Sequence, residues 1–435
     1  MITRPEYLDR LIAARDNQSV KVITGIRRSG KSFLLNEIYR PYLKENGVDD
    51  GHLISISLDL TEYADLRDPR KLQDFVTARI TDNLPYYVFI DEIQMSFKVK
   101  ISDVDEAKVA PEDRDSLYLT FYDVLNSLNA RKNVDVYVTG SNSKMLSEDI
   151  ATNFRGRRTE IVMHPLSFAE FYAARPQDKM DAWNEYLAYG GLPQVVLAGS
   201  EREKMSVLDE LFENTYLKDV IERNRIEDAG LLGNVVNVLA SSVGSLTNPT
   251  KLVNVLRSGE KQAPSIPTFR KFLGYLTSSY LFRKAERYDV RGRRYLNYPA
   301  KYYMEDVGLR NARLGFREQE ETHLMENVIY NDLIRRGFKV DVGVVAILHQ
   351  EKGKRELRQH EIDFVVNTGR EKVYIQSAYG MNDSEQRARE ILPLAQTGDS
   401  CRKCVITNGN QKLWTDEEGI SHVGILAFLL APSVF

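Results

Sequence analysis

The sequence predicts an α/β fold: a parallel sheet with helices on both faces over the first 165 residues, followed by further domains. Three observations lead there. At 435 residues the chain is too long for a single compact core, so two or three domains are expected. Short apolar, β-branched runs alternate with helical segments through the first third, which is the pattern of a parallel sheet covered on both sides. The first run, VKVIT at 20–24, leads directly into GIRRSGKS at 25–32, whose glycines, lysine and serine have the spacing of a phosphate-cradling loop.

Four more strands are expected in LISISLDL (53–60), YYVFIDE (86–92), VDVYVTGSN (134–142) and TEIVM (159–163). In the loop, Gly25 and Gly30 free the backbone to turn its N–H groups toward phosphate oxygens. The helix starting near Lys31 adds its positive end to the same place. Lys31 reaches the β- and γ-phosphates and the Ser32 hydroxyl ligates magnesium. The expected nucleotide-binding set is Gly25, Arg28, Ser29, Gly30, Lys31, Ser32 and Phe33, with ATP and Mg2+ as the small molecules they hold. Asp91, at the end of the third strand, joins Ser32 as a metal-holding residue, and Glu92 beside it takes a proton from the attacking water. The plainer alternative for two acids after a strand is a solvated turn, and Gln94 either faces the site or caps the next helix. Ser141 and Asn142 fall where a small polar group senses the γ-phosphate, or where it caps a helix. Arg155, Arg157 and Arg158 cluster before the fifth strand. Projected into a neighbouring subunit, Arg155, Arg157 or Arg158 neutralises transition-state charge, an effect worth ~10³-fold or more where it operates; a solvated basic turn is the alternative.

Composition narrows the remaining possibilities. The net charge of −3 means that any nucleic-acid contact comes from a local patch and not from the global field. The two cysteines, Cys401 and Cys404, suit a reducing compartment; with His422 the one histidine nearby they do not complete a four-ligand zinc site. MITRPEYLDR is charged from the start, unlike a secretory leader. VGILAFLLAPSVF falls short of the ~20 residues of a spanning helix and reads as a buried terminal strand and helix. No short-period repeat appears. A soluble, cytoplasmic protein with no membrane partner is expected.

From 205 to about 300 the pattern changes. MSVLDELFENTYLKDVIERN is amphipathic, with Leu208, Leu211, Phe212 and Tyr216 on one face. TNPTKLVNVLRSG starts with Thr247 as a cap and Pro249 in the first turn. SIPTFRKFLGYLTSSYLF is a second capped helix with Arg270 and Lys271 early on it, and RKAERYDVRGRRYLNY is hairpin-like. Helix, turn, helix and basic hairpin is the order of a winged helix. Arg283, Lys284, Arg287, Arg291, Arg293 and Arg294, interleaved with Tyr288 and Tyr295, form a wing able to lie along a phosphate backbone. An interdomain module with a solvated basic face is the alternative.

GIRRSGKSFLL, FIDEIQ, VDVYVTGSNSKMLS and HPLSFAEFY, together with YGGLPQVV, NTYLKDVIERN and KYYMEDVGLRNARLGFRE, resemble the AAA+-type P-loop ATPases widespread in bacteria and archaea, in which the P-loop domain is joined to a C-terminal domain of unknown function. The resemblance covers nearly the whole chain. It implies a helical lid after the core, containing the YGGLP turn. In the last part, Glu326 on a helix, Asp363 in HEIDFVVN and Gln376 in KVYIQSAYG resemble the layout of PD-(D/E)XK nucleases, where oxygen ligands converge on a hard cation. Ala378 stands where those enzymes carry lysine, and Gln376 where they carry an acid. A catalytically degenerate fold is therefore expected, the alternative being that neighbouring Lys372 or Arg358 substitutes for the missing cation. The expected organisation is a P-loop core at 1–165, a lid at 166–204, a winged-helix-like domain at 205–300 and a nuclease-like domain at 301–435. The expected activity is Mg-dependent ATP hydrolysis by a homo-oligomer, either a ring such as a hexamer or heptamer or another assembly, that binds DNA through its C-terminal half. The alternatives are a nucleotide-controlled signalling or defence switch with a protein partner, and an ATP-regulated nuclease.

Overall fold

A computed structural model describes residues 2–101, 103–140, 157–259, 263–317, 320–351, 354–380 and 384–431. The chain divides into two units that meet in sequence between Met163 and His164.

The first unit is built on the five strands expected: β1 (Val20–Thr24), β2 (Leu53–Ser57), β3 (Tyr86–Asp91), β6 (Val134–Thr139) and β7 (Arg158–Val162), all parallel, in the order β2-β3-β6-β1-β7. A short antiparallel ribbon, β4 (Val99–Lys100) with β5 (Tyr118–Leu119), projects between β3 and β6. Every residue of β1, β3 and β6 is buried, because helices cover both faces of the sheet. One face carries Val22, Ile56, Val88, Ile90 and Val136 against Leu72, Val76, Val124 and Leu128 of the helices Pro69–Thr77 and Phe121–Asn129. The other carries Ile23, Phe89 and Tyr137 against Tyr7 and Leu11 of Pro5–Ala14 and Leu34, Leu35 and Tyr39 of the helix at 31–45. That helix widens to a π-helical turn at Leu34–Tyr39. The strand order decides where a site can form. β1 and β2 are consecutive in sequence but lie at separate places in the sheet, with β3 and β6 between them. The crevice beyond the carboxyl ends of β1, β6 and β3 is such a switch point.

The second unit opens with helices at Phe168–Ala174, Lys179–Tyr189, 201–224, Ala229–Ser241, Pro249–Gly259 and Ile266–Ser278. An eight-stranded mixed sheet follows. In spatial order it runs β14 (Trp414–Thr415), β15 (Ser421–Gly424), β13 (Arg402–Thr407), β12 (Lys372–Ala378), β11 (Lys354–Asn367), β10 (Lys339–Glu351), β8 (Phe282–Asp289) and β9 (Arg294–Met304). The expected cut at 300/301 falls inside β9, and β8 pairs in parallel with β10 through Arg287 opposite Val342. The hairpin expected as a free wing and the sheet expected as a separate domain are thus one sheet. The residues from His164 onward form one compact unit. Thr247, just before the helix Pro249–Gly259, forms an antiparallel bridge with Ala300 of β9. The buried terminal strand and helix are present as β15 and Ile425–Leu430. Among the described residues no helix is long and apolar enough to cross a membrane.

A buried interlock holds the start of this unit. Gly191 N–H donates to Asp306 Oδ2 at 2.7 Å, and a Cβ on Gly190 would stand 2.1 Å from Asp306 Oδ1. A Cβ on Gly308 would meet the Tyr189 carbonyl at 2.1 Å. The paired glycines of YGGLP and the glycine of EDVGL are therefore sites of close backbone approach.

Candidate functional site

The loop after β1 is shaped by three residues in the left-handed region: Gly25 (φ 129°), Arg28 (φ 61°) and Gly30 (φ 96°). A side chain at Gly25 is excluded twice over, since its Cβ would lie 2.0 Å from the Met163 carbonyl oxygen. Met163 N–H in turn donates to Thr24 O at 2.7 Å, so the residue after β7 clamps the loop's first turn. Lys31 starts the helix, is 5% exposed, and donates from Nζ to the carbonyls of Gly25 (3.1 Å) and Ile26 (2.9 Å). Burial pulls its pKa down to about 8, against the opposing pull of Glu92 and then Asp91. Ser29 is buried, Ser32 is half-buried, and Arg28 and Phe33 are exposed. The Oγ atoms of Thr24 and Ser29 are buried without a hydrogen-bond partner among the described residues. Orphaned hydroxyls beside a buried ammonium and a helix start are the groups that a triphosphate satisfies, so the residues fit a nucleotide.

Asp91 ends β3 with 9% exposure, and Glu92 follows with φ 52° and ψ 48°. A glutamate in this conformation is strained, and such strain persists where surrounding contacts hold it. The holding residue is Thr139, at the end of β6. Its hydroxyl donates to Asp91 Oδ1 and accepts the Glu92 N–H at 3.1 Å. Because β6 lies between β1 and β3, this fully buried threonine fixes both acids opposite the loop. The sequence reading missed it; the only signal was its place as the last residue of the VDVYVT run. Gln94 donates to Glu92 Oε2, which orients that carboxylate and takes up one of the two roles left open for Gln94.

Ser141, Asn142 and Arg155 lie outside the described residues. Arg157 is exposed and immediately precedes β7, and Arg158 opens β7 directly opposite Val20, the first residue of β1. The phosphate loop leaves the other end of β1, about 13 Å away along the strand. Neither arginine reaches its own chain's loop.

The basic stretch of the hairpin is dispersed by folding. Arg283 pairs with Glu305, which is 1% exposed and also accepts His164 Nδ1 at 2.6 Å. Burial pushes the Glu305 carboxyl up, and Arg283 and His164 more than offset that, holding it at about 2. Arg287 is buried, and Arg291 donates to the carbonyls of Gln396 (2.6 Å) and Ala346 (3.0 Å). Lys284 pairs with Glu286 at 3.0 Å, and Tyr295 is turned onto Asp341. Arg293 and Arg294 at the turn, and Arg270 and Lys271 early on Ile266–Ser278, are exposed.

In the C-terminal sheet Glu326 and Asp363 do come together, but around an ammonium. Lys301 Nζ, from β9, lies 2.7 Å from Glu326 Oε1, 2.6 Å from Glu361 Oε1 and 3.3 Å from Asp363 Oδ1, with the lysine side chain 2% exposed. Tyr303, two residues on along the same strand, donates its hydroxyl to Glu326 Oε1 at 2.6 Å. Burial pushes the Glu326 carboxyl up to about 7 against the pull of Lys301. Gln376 Oε1 accepts the Asp363 N–H at 3.4 Å while its Nε2 donates to Glu390. Lys372 donates instead to Tyr288 and Arg358 pairs with Glu356, so neither fills the place of the missing lysine. Lys301 was not among the expected residues. Cys404 is buried, Cys401 is half-buried, and His422 is paired to Asp416.

Family models match three consecutive parts of the chain: an AAA domain over residues 17–172, and two domains described as of unknown function over 180–320 and 321–428. An uncharacterized protein of Haemophilus influenzae is 33% identical, with 99% of each chain covered. An uncharacterized protein of Methanocaldococcus jannaschii is 26% identical over 93% of this chain and 84% of its own. Among solved structures, the Orc1 protein of Aeropyrum pernix in complex with DNA is 12% identical, covering 72% of this chain and 93% of that one, with a TM-score of 0.26. A score that low carries no argument about this chain.

Proposed function

The chain belongs to a family shared by bacteria and archaea, in which an AAA domain precedes two domains of unknown function, and from that premise we propose that it is a magnesium-dependent ATPase acting as a homo-oligomer. The observation that carries the reading is the Asp91–Thr139–Glu92 arrangement beside the buried Lys31. The Lys31 ammonium exchanges its two loop carbonyls for phosphate oxygens, a stronger charge-assisted contact. Gly25, Ser29 and Gly30 turn backbone N–H groups and a free hydroxyl toward the same oxygens, and Arg28 and Phe33 flank the loop's open side. Ser32 and Asp91 are the residues that would hold magnesium, which neutralises phosphate charge when bound. Glu92, held by Thr139 and Gln94, orients the attacking water and accepts its proton. Arg157, exposed at the opposite end of β1 from its own loop, is assigned to a neighbouring copy's site, and Arg155 and Ser141 keep their expected roles within this proposal. Calorimetry and steady-state hydrolysis test it together. Lys31→Ala is expected to lose ATP binding, while Glu92→Gln binds ATP and does not turn it over. A Glu92→Gln protein that hydrolyses ATP at the wild-type rate overturns the assignment, and specific activity that stays constant on dilution to the monomer overturns the trans arginine.

The proposal extends to DNA on narrower support, namely the exposed Arg270 and Lys271 near the start of a helix and Arg293 and Arg294 at the hairpin turn. These four, and not the full basic stretch, are the candidates for backbone contact. Gel shifts across a salt series read it directly, since phosphate contacts give a steep negative slope. No shift at low salt turns the reading toward a switch with a protein partner.

A further inference from the structure

The carboxylate cluster of the C-terminal sheet carries an inference that does not rest on the P-loop reading. Three acids from two elements, Glu326 on the helix Glu321–Arg335 and Glu361 and Asp363 on β11, converge on one ammonium that is almost wholly buried. We propose that Lys301 is a built-in cation seated at the centre of a divalent-metal site, so that the native chain takes no metal there and a neutral side chain at 301 opens the site to a hard divalent cation.

Charge and ligand chemistry support this. Buried carboxylates are not left ionised without a counter-charge, and here the lysine supplies one, its pKa raised, against the pull of its own burial, by the three acids. Arg287, buried beside Glu361, supplies a second. Removing the Lys301 charge leaves the three acids with Arg287 as the neighbouring cation, an acidic centre whose excess charge a divalent ion offsets. The three groups that contact Lys301 Nζ all present carboxylate oxygen, and oxygen ligands select calcium, magnesium or manganese. The oxygens stand 2.6, 2.7 and 3.3 Å from Nζ. They are nearest to the spacing of calcium, whose ligands lie at about 2.3–2.6 Å, and demand only a small inward movement. Among the described residues no group of three or more His, Cys, Asp or Glu could hold a metal ion as the chain stands.

The test is calcium chloride titrated into nucleotide-free, full-length protein, read by calorimetry and by thermal melting. Wild type is expected to give no saturable heat and an unchanged midpoint. Lys301→Met is expected to bind one calcium with a Kd on the order of 10⁻⁴ M, the weak end for oxygen-ligand sites. Saturating calcium is expected to raise its melting midpoint by about 5 °C. The double variant Lys301→Met, Asp363→Asn is expected to lose both effects, which separates this site from any calcium held near Asp91. Should Lys301→Met not fold alone, refolding from denaturant is the readout: recovery with calcium and not without it supports the proposal, and failure in both overturns it. Saturable calcium binding by wild type that Asp363→Asn abolishes, or a folded Lys301→Met that binds none, also overturns it.

Discussion

Replacing Thr139 with valine removes one hydroxyl and nearly nothing else. Both groups are β-branched and of similar size, so the buried end of β6 keeps its packing. Two hydrogen bonds are lost: the one donated to Asp91 Oδ1 and the one accepted from Glu92 N–H at 3.1 Å. A hydrogen bond to a charged group contributes about 1.5–3 kcal/mol, and about 1.4 kcal/mol corresponds to a factor of ten in rate. If the hydroxyl acts by fixing the two acids for turnover, kcat falls roughly 30-fold. The loop contacts of Lys31 do not involve Thr139, so KM for ATP should move little. Steady-state hydrolysis over an ATP series separates the two, and thermal melting of the same samples records any loss of fold. Thr139→Ser, which keeps the hydroxyl, is expected to recover most of the rate. A folded Thr139→Val enzyme that works within twofold of wild type refutes the reasoning. So does a serine variant as slow as the valine one, because shape and not the hydroxyl would then be responsible.

The buried Lys31 ammonium makes nucleotide binding pH-dependent. Its folded-state pKa, about 8, lies below the usual 10.5, so the folded chain gives up that proton first as pH rises. ATP affinity measured by calorimetry is therefore expected to weaken about 10-fold between pH 7 and 9, and a flat profile contradicts it. Over pH 8–10.5 the nucleotide-free protein is expected to gain stability as pH rises, because there the unfolded chain binds the extra proton. Arg283→Met leaves Glu305 buried with His164 alone and is expected to cost about 3 kcal/mol, seen as a melting midpoint lowered by about 6–12 °C. An unchanged midpoint would return Arg283 to the exposed basic face.

The legibility of the chain follows the range of the interactions. GIRRSGKS is legible because the shape of the loop is set within eight consecutive residues, and the glycines' positive φ values are a property of that stretch. The five strands of the first unit were legible for the same reason, since burial on both faces writes itself as continuous apolar runs. Thr139 was not legible: a threonine at a strand end acquires its role only once β6 is placed between β1 and β3. The basic hairpin misled in the opposite direction. Six cations within twelve residues look like a surface patch until Glu305, Asp341 and the Gln396 carbonyl arrive from distant positions to engage that stretch.

The last domain shows the division most clearly. Periodicity and motif spacing determined by themselves that Glu326 belongs to a helix and Asp363 and Gln376 to strands, because these are local preferences of the backbone. That an ammonium stands among the acids was decided by the tertiary structure, which brings Lys301 of β9 to the same centre as Asp363, 62 residues away in sequence. Local sequence dictates which groups a segment offers. Burial determines which of them must find an opposite charge, and only the folded chain brings that charge from elsewhere.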